Sequence, residues 1–341
     1  MDGAWSFFII SNFFVEKGNT VKCLVTGANG FIGAHLVRYL LDIGHEVRAV
    51  DCSEPMGNIV NERLENFRIG RNALNPAAWQ VVCRDVEVIF HLAGRAHRGN
   101  DSSPSVRLAY FRDNLEMTQA LVEVALQARV RRFVFASSVT VYGTTSIPGE
   151  AFREDSPAMP HPNDVYAQSK LAAEEFLLSS DIRVALEPVI VRLPLVYGMG
   201  VKGNMATLMR LARSGLPLPL AGVDNRRSFI NIPNSVDFFL AAACHPDVGG
   251  RILLASDRED VSTPGLIRAI AHESGKSVRL FPVAPGLLKT ASSLLGQKER
   301  FEKLAGNFQV DPAVSCALLG WSPKVGFAEG IAQMCVGYRE T

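Results

Sequence analysis

Two kinds of hydrophobic pattern alternate along the chain between residues 21 and 192. Short apolar runs of β-favouring residues predict buried parallel strands, and between them apolar positions recur at helical spacing. The pattern predicts strands at 21–25, 46–50, 86–94, 132–136 and 184–192, and helices at 34–41, 75–82, 114–128 and 166–176. Residues 52–70 read as an irregular polar stretch. This alternation predicts an α/β fold, a doubly wound parallel sheet with right-handed crossovers.

The alternation loosens after Leu193. Helices are predicted at 206–214, 235–243 and 264–274 and after Phe327, with one strand at 251–255. We therefore expect three parts: an N-terminal extension of unclear role (1–20), a dinucleotide-binding domain (21–193), and a smaller α+β domain (194–341). The last part would mainly bind substrate and would return some segments to the sheet. Ligands are expected in the crevice between the two domains.

Composition narrows the possible partners. The chain has 341 residues, 48% of them hydrophobic, and its 35 Lys and Arg nearly balance 34 Asp and Glu, so nothing indicates a nucleic-acid surface or a basic membrane face. Residues 5–14 are apolar but too few to span a bilayer. Six dispersed cysteines without metal-ligand spacing are typical of a reduced, cytoplasmic enzyme. His91 and His97 lack carboxylate or cysteine company, so we predict no metal site.

A glycine turn links the first predicted strand to the first predicted helix. Gly27 would allow a tight turn, Gly30 would let the backbone approach a pyrophosphate, and Gly33 would let the helix pack closely on the sheet. The second predicted strand ends at Asp51, where a carboxylate can accept hydrogen bonds from an adenosine ribose. Asp51 would repel a 2′-phosphate. The stretch therefore predicts dinucleotide binding and favours NAD, with NADP possible because Arg48 is near.

A second group of residues carries acid–base chemistry. Tyr166 and Lys170 are four positions apart, so on a helix both side chains lie on one face. A neighbouring ammonium favours the phenolate, which would bring the tyrosine pKa from its usual value near ~10 toward use as a general base. Ser138, which follows another strand, could hydrogen-bond the same substrate oxygen. These three residues are the predicted catalytic set.

Further segments complete a pattern that extends over nearly the whole chain. They are 26–33, 91–94, Asn114, 137–143, 166–170, 192–198, 201–204, 227–231 and 319–325. With them the chain resembles the extended short-chain dehydrogenase/reductase family, and within it the nucleotide-sugar epimerases, dehydratases and reductases. The resemblance implies a Rossmann sheet and a homodimer formed through the helices that carry Asn114 and Tyr166.

The resemblance also implies roles for individual residues. Lys170 would additionally bind the nicotinamide ribose, and Tyr166 would also contact the cofactor. Ser138, Asn204 and Arg227 would hold the nucleotide sugar. The remaining cofactor contacts would come from Gly27, Gly30, Phe31, Ile32, Gly33, Asp51, Leu92, Ala93 and Asn114. The chain departs from the family pattern at 70–73, where relatives carry a Gly-Asp pair for adenine, and in lacking the Arg-x-Gly-Asp segment near the C-terminus.

The residues after Ser138 bear on the reaction type. Dehydratases of this family carry an acidic pair there, whereas this chain has Val139 and Thr140. The resemblance therefore favours a UDP-hexose or UDP-N-acetylhexosamine C4 epimerase that forms a transient 4-keto sugar. The alternative is a UDP-4-keto-6-deoxyhexosamine C4 reductase of the UDP-N-acetylquinovosamine type, serving surface polysaccharide synthesis. A second alternative is a non-catalytic dinucleotide sensor on the same fold.

Overall fold

A seven-stranded, all-parallel sheet forms the centre of the protein. The computed structural model describes residues 20–53, 59–96 and 103–337, so the N-terminal extension and His97 lie outside the described residues. The strands are β1 (Lys22–Thr26), β2 (Glu46–Asp51), β3 (Leu64–Arg68), β4 (Val88–His91), β5 (Arg132–Ser138), β6 (Val189–Leu193), β7 (Leu195–Tyr197), β8 (Phe229–Asn231) and β9 (Arg251–Leu254). The sheet order is β3-β2-β1-β4-β5-β6-β9, and β7 pairs with β8 separately.

Helices cover both faces of the sheet, which makes it doubly wound as predicted. They are α1 (Phe31–Asp42), α2 (Ala77–Cys83), α3 (Pro104–Phe111), α4 (Met117–Gln127), α5 (Val165–Leu177), α6 (Ser180–Leu186), α7 (Gly203–Arg213), α8 (Ile232–Cys244), α9 (Thr263–Glu273), α10 (Pro285–Leu294), α11 (Lys298–Ala305), α12 (Ala313–Leu319) and α13 (Phe327–Gly337). Among the described residues, no helix is long and apolar enough to cross a bilayer.

Apolar clusters hold these layers together. One face of the sheet packs on α1 and α8 through side chains such as Leu36 and Phe238, and the other packs on α2, α4 and α5 through Trp79, Leu121 and Leu177. A third cluster joins α7, α9 and α13. The order of strands reverses between β1 and β4. The carboxyl ends of these two strands therefore border the crevice in which ligands of such sheets bind.

Several elements differ from the sequence-based expectations. Residues 64–68, expected to be irregular, form β3, whose polar sequence is tolerated because it pairs only with β2 at the sheet edge. The strand expected at 184–192 begins only at Val189, because residues 180–186 form α6. Helices α3, α10, α11 and α12 were not predicted. The β9 strand returns from late in the chain to pair with β6.

Candidate active site

The glycine turn at the end of β1 leaves no space for side chains. Gly27 has φ +68°, and a Cβ atom there would lie 2.8 Å from the backbone nitrogen of Ala93 at the end of β4. A Cβ on Gly33 would lie 2.1 Å from the carbonyl oxygen of Gly27. Gly30 is the N-cap of α1 and provides no side-chain cap, so the first N–H groups of α1 lack a side-chain acceptor. Such a bare helix N-terminus suits a pyrophosphate.

Asp51 lies at the end of β2, next to this turn. Its carboxylate accepts hydrogen bonds from the backbone N–H of Asn29 (3.0 Å) and from the N–H and hydroxyl of Ser53 (3.0 and 2.8 Å). Partial burial alone would raise the pKa of Asp51, but these hydrogen bonds outweigh burial and hold the pKa below its usual value. The carboxylate is therefore charged at neutral pH, which suits a ribose diol and disfavours a 2′-phosphate.

The other cofactor residues predicted from the resemblance lie around the same end of the sheet. Leu92 and Ala93 directly follow β4, and both are partly exposed, as are Phe31 and Ile32 at the start of α1. The Phe31 side chain packs against the third apolar cluster, so it links the glycine turn to the C-terminal part of the chain.

A chain of hydrogen bonds under this edge fixes the orientation of His91. The Ala93 N–H donates to the Thr26 hydroxyl (3.1 Å), and Thr26 in turn contacts Nδ1 of His91 (2.7 Å). On the other side, Nε2 of His91 contacts the Thr118 hydroxyl (2.9 Å), whose own proton goes to the Asn114 carbonyl (2.7 Å). This arrangement requires a neutral imidazole protonated at Nε2, and burial lowers the pKa of His91 to about 3.

Asn114 lies in a π-helical turn, Arg112–Glu116, between α3 and α4. Its side-chain oxygen accepts from the Arg95 N–H (2.7 Å), and its amide donates to the Ser169 hydroxyl (2.8 Å). Ser169 donates in turn to the Tyr166 carbonyl (2.8 Å). Single π-helical turns are frequent at functional sites. Here the turn ties the end of β4 to the helix that carries the predicted catalytic tyrosine.

The three predicted catalytic side chains meet at the carboxyl end of β5. Asp164 caps α5 by accepting from the Ala167 N–H (3.0 Å), and α5 then places Tyr166 and Lys170 on the face toward β5. The Lys170 ammonium donates to the Ala136 carbonyl (2.8 Å) and lies 4.4 Å from the centroid of the Phe135 ring. Ser138 ends β5, is nearly buried, and is near enough to Tyr166 for its side chain to lower the tyrosine pKa.

The protonation of this group differs from the expectation. Burial raises the pKa of Tyr166 to about 12, which the side chain of Ser138 only partly offsets. Burial lowers the pKa of Lys170 to about 8, with Glu174 opposing the shift. The predicted lowering of the tyrosine pKa was therefore wrong, because desolvation disfavours the phenolate more than its neighbours favour it.

A buried ion pair that the sequence analysis did not identify lies one helical turn beyond Lys170. Glu174 and Arg192 have side chains only 1% and 3% exposed, and the guanidinium donates to both carboxylate oxygens, at 3.1 and 2.5 Å. Ser137 also donates to Glu174, and the Tyr142 ring lies 4.6 Å from the guanidinium carbon. The available signal was an arginine in an otherwise apolar strand, since a buried charge requires a partner.

Two of the predicted substrate residues, Asn204 and Arg227, belong to the C-terminal part of the chain, whereas the third, Ser138, ends β5. Arg227 donates to the Gly306 carbonyl (3.1 Å), and among the described residues no carboxylate pairs with it. Burial lowers its pKa to about 10, so it remains charged at neutral pH. Lys303 of α11 lies 3.8 Å from Asp164, which brings this side close to the start of α5. Asn204 is in the first turn of α7, but its side chain lies outside the described ones.

The comparisons with known proteins agree with this geometry. The family model described as "NAD dependent epimerase/dehydratase family" matches residues 23–255, more than half of the chain. The chain belongs to this family. It is thus an NAD-dependent enzyme of the extended short-chain dehydrogenase/reductase type, as the sequence predicted.

Individual relatives cover nearly the full length. The chain is 33% identical over 314 residues to a UDP-glucose 4-epimerase of Vibrio cholerae, covering 91% of this chain and 93% of the relative. The structure of MoeE5 in complex with UDP-glucose and NAD aligns with a TM-score of 0.72 and 26% identity over 94% of this chain and 99% of that one. A UDP-glucuronic acid 4-epimerase from Bacillus cereus in complex with NAD shares the fold, with a TM-score of 0.75, 24% identity, and coverage of 94% and 99%.

Proposed function

We propose that this protein is a UDP-hexose or UDP-N-acetylhexosamine 4-epimerase that works through a transient 4-keto sugar. The observation that carries the proposal is the meeting of Ser138, Tyr166 and Lys170 beside a glycine turn, followed by Val139 and Thr140 where a dehydratase would need carboxylates. Neither Val139 nor Thr140 carries a carboxyl group, so no acidic pair follows Ser138. The hydroxyl of Thr140 instead hydrogen-bonds Ser138 (2.9 Å).

The roles of the residues follow from this proposal. The C4 hydroxyl of the sugar would lie between Ser138 and Tyr166, with Ser138 orienting it and Tyr166 taking its proton. NAD, held by the glycine turn and Asp51, would supply the hydride acceptor for C4, and turning of the 4-keto sugar would let the hydride return to its opposite face. Tyr166 must return its proton to the same oxygen, so the net reaction inverts C4 and consumes nothing. Because burial raises its pKa to about 12, a positive charge close to the phenolate would have to lower it for Tyr166 to act as a base.

Charge complementarity supports binding of a nucleotide diphosphate. Arg227 is a partly buried residue whose guanidinium donates to a backbone carbonyl and, within the described part of the chain, pairs with no carboxylate, so a diphosphate would supply a counter-charge. A planar guanidinium also matches phosphate oxygens in a bidentate manner. The proposal includes the homodimer implied by the family resemblance, formed through α4 and α5.

The test begins with the purified protein and no added cofactor. Released nucleotide is identified by chromatography, and UDP-glucose and UDP-N-acetylglucosamine are incubated separately with the enzyme and followed by proton NMR. We expect tightly bound NAD and formation of the C4 epimer of one substrate. Turnover only of a UDP-4-keto sugar with added NAD(P)H would instead establish a reductase, and dinucleotide binding without any turnover would favour the sensor.

A matched pair of tyrosine variants tests the chemistry. Tyr166→Phe removes the proposed general base, so kcat should fall by about 10²–10⁴-fold while KM changes little. Tyr39→Phe removes the hydroxyl of a tyrosine that is 38% exposed on α1 and should leave kcat unchanged. Near-normal turnover of Tyr166→Phe would contradict the assignment.

A further inference from the structure

Helix α10 carries an apolar face that is open to solvent. None of its residues is buried, and Leu287 and Leu294 are 67% and 85% exposed, as is 75% of Leu295 directly after the helix. Most leucine side chains of the described residues lie in or against the apolar clusters. A group of adjacent leucines left in solvent indicates a binding surface rather than ordinary scatter.

The leucines share one side of the helix. At 100° per residue, positions 287, 291, 294 and 295 fall within one arc, whereas Lys289 and Ser293 fall on the opposite side. Leu288 and Ser292, at the boundary, are the half-buried positions through which the helix contacts the rest of the protein. Apart from these two positions the helix is exposed all round, so the leucines form one apolar strip open to solvent and the polar side is open as well, an arrangement compatible with a helix that lies in a membrane interface.

The segment around this helix is basic, although the whole chain is nearly neutral. Residues 276–303 include six Lys or Arg and two Glu. Lys276 and Arg279 precede the helix and are exposed, and Lys289 on α10 is 58% exposed beside Glu302. The balanced total charge thus conceals a local excess of positive charge next to the exposed leucines, which complements an anionic surface.

We propose that α10 docks this enzyme on an anionic lipid bilayer, with the leucines in the headgroup region and the surrounding lysines and arginines against lipid phosphates. A second copy of the chain fits less well, because three leucines offer a few hundred Å² of apolar surface, whereas a stable dimer buries about 800 Å² per partner. This inference does not depend on the reaction that the enzyme catalyses.

Docking would place the cleft near the membrane surface. Helix α11 directly follows α10, and its Lys303 lies 3.8 Å from Asp164, the N-cap of the helix that carries Tyr166. Gly306, just beyond α11, accepts the hydrogen bond from Arg227. The segment that would contact lipid is therefore continuous with one wall of the proposed nucleotide-sugar site.

Cosedimentation of the full-length protein with vesicles tests the proposal. We expect binding to phosphatidylcholine vesicles that contain phosphatidylglycerol, and binding weaker by about tenfold or more to pure phosphatidylcholine or at high salt, because the basic residues would lose their lipid partners or be screened. The variant Leu294→Glu/Leu295→Glu should lose at least about tenfold in binding, since two anionic side chains replace the apolar contact.

A matched control separates this surface from general hydrophobicity. Val184→Glu changes an equally exposed apolar residue (82%) on α6 and should bind vesicles like the unchanged protein. The melting temperature of each variant shows that it is folded. Three results would overturn the proposal: no binding of the unchanged protein, vesicle binding that survives the double substitution, or a self-association in size-exclusion chromatography that the double substitution abolishes.

Discussion

Removing one partner of the buried ion pair should destabilise the protein strongly. In Arg192→Met, the Glu174 carboxylate would remain 1% exposed, with the Ser137 hydroxyl as its remaining side-chain partner. The guanidinium would also leave its position against the Tyr142 ring. Methionine approximately fills the volume of the arginine stem, so the loss of charge dominates over the loss of packing.

The structure sets the size of the effect. Leaving a buried charge uncompensated costs about 3–5 kcal/mol, against a total stability of about 5–15 kcal/mol for a native protein. The lost contact with the Tyr142 ring adds up to about 2 kcal/mol for a desolvated cation. A melting-temperature decrease on the order of 10 °C follows from the usual relation between unfolding entropy and size. In Glu174→Met/Arg192→Met, both charges are gone, so most of the loss should be recovered.

Urea unfolding followed by tryptophan fluorescence measures these free energies. The control is Arg153→Met, because Arg153 pairs with Asp311 at 3.4 Å on the surface and is 66% exposed. That change should cost less than about 1 kcal/mol. A cost below about 1 kcal/mol for Arg192→Met, or a double variant equal to the sum of the two single variants, would refute the electrostatic account.

Two further predictions concern the cofactor edge of the sheet. Gly33→Ala would place a Cβ atom 2.1 Å from a carbonyl oxygen of the glycine turn, so we expect a lower melting temperature and loss of copurifying NAD, whereas Gly326→Ala, with open space around it, should change neither. The pKa of buried His91 is about 3, whereas the pKa of an unfolded histidine is 6.5. Between pH 6.5 and pH 3, His91 is therefore protonated only in the unfolded chain. The free energy of unfolding should therefore fall with decreasing pH, by up to about 5 kcal/mol across that range. His91→Gln should flatten this dependence between pH 7 and 4.5, and the exposed His272→Gln should not; an unchanged slope in His91→Gln would contradict the reasoning.

Local sequence information predicted the elements that bear the site. Apolar runs predicted the strands β1, β2, β4 and β5, and apolar residues at helical spacing predicted the helices α1 and α5. These patterns are clear because the central elements bury large apolar surfaces. The glycine spacing predicted the turn after β1, because backbone atoms approach Gly27 and Gly33 so closely that a Cβ atom would not fit. The four-residue spacing of Tyr166 and Lys170 placed both on one face of α5, as helical geometry requires.

Edge and surface elements were not predictable in the same way. The β3 strand has a polar sequence without alternation. Its conformation is stabilised by pairing with β2, from which a loop separates it in the chain. The last three residues of α6, 184–186, were predicted to start the strand because they are apolar and lie next to its apolar residues. Helices α10 and α11 bury little, so the apolar pattern that marks a core helix is weak there.

The sequence by itself determined the fold class, the dinucleotide turn and the spacing of the proposed catalytic residues, because each of these depends on backbone geometry over a few neighbouring positions. The tertiary structure alone decided which charges are compensated and which are not. It joined Glu174 to Arg192, left Arg227 without a carboxylate partner among the residues that the structure describes, raised the Tyr166 pKa and exposed the leucines of α10. Those properties depend on desolvation and on contacts between residues distant in the chain, which no local pattern records.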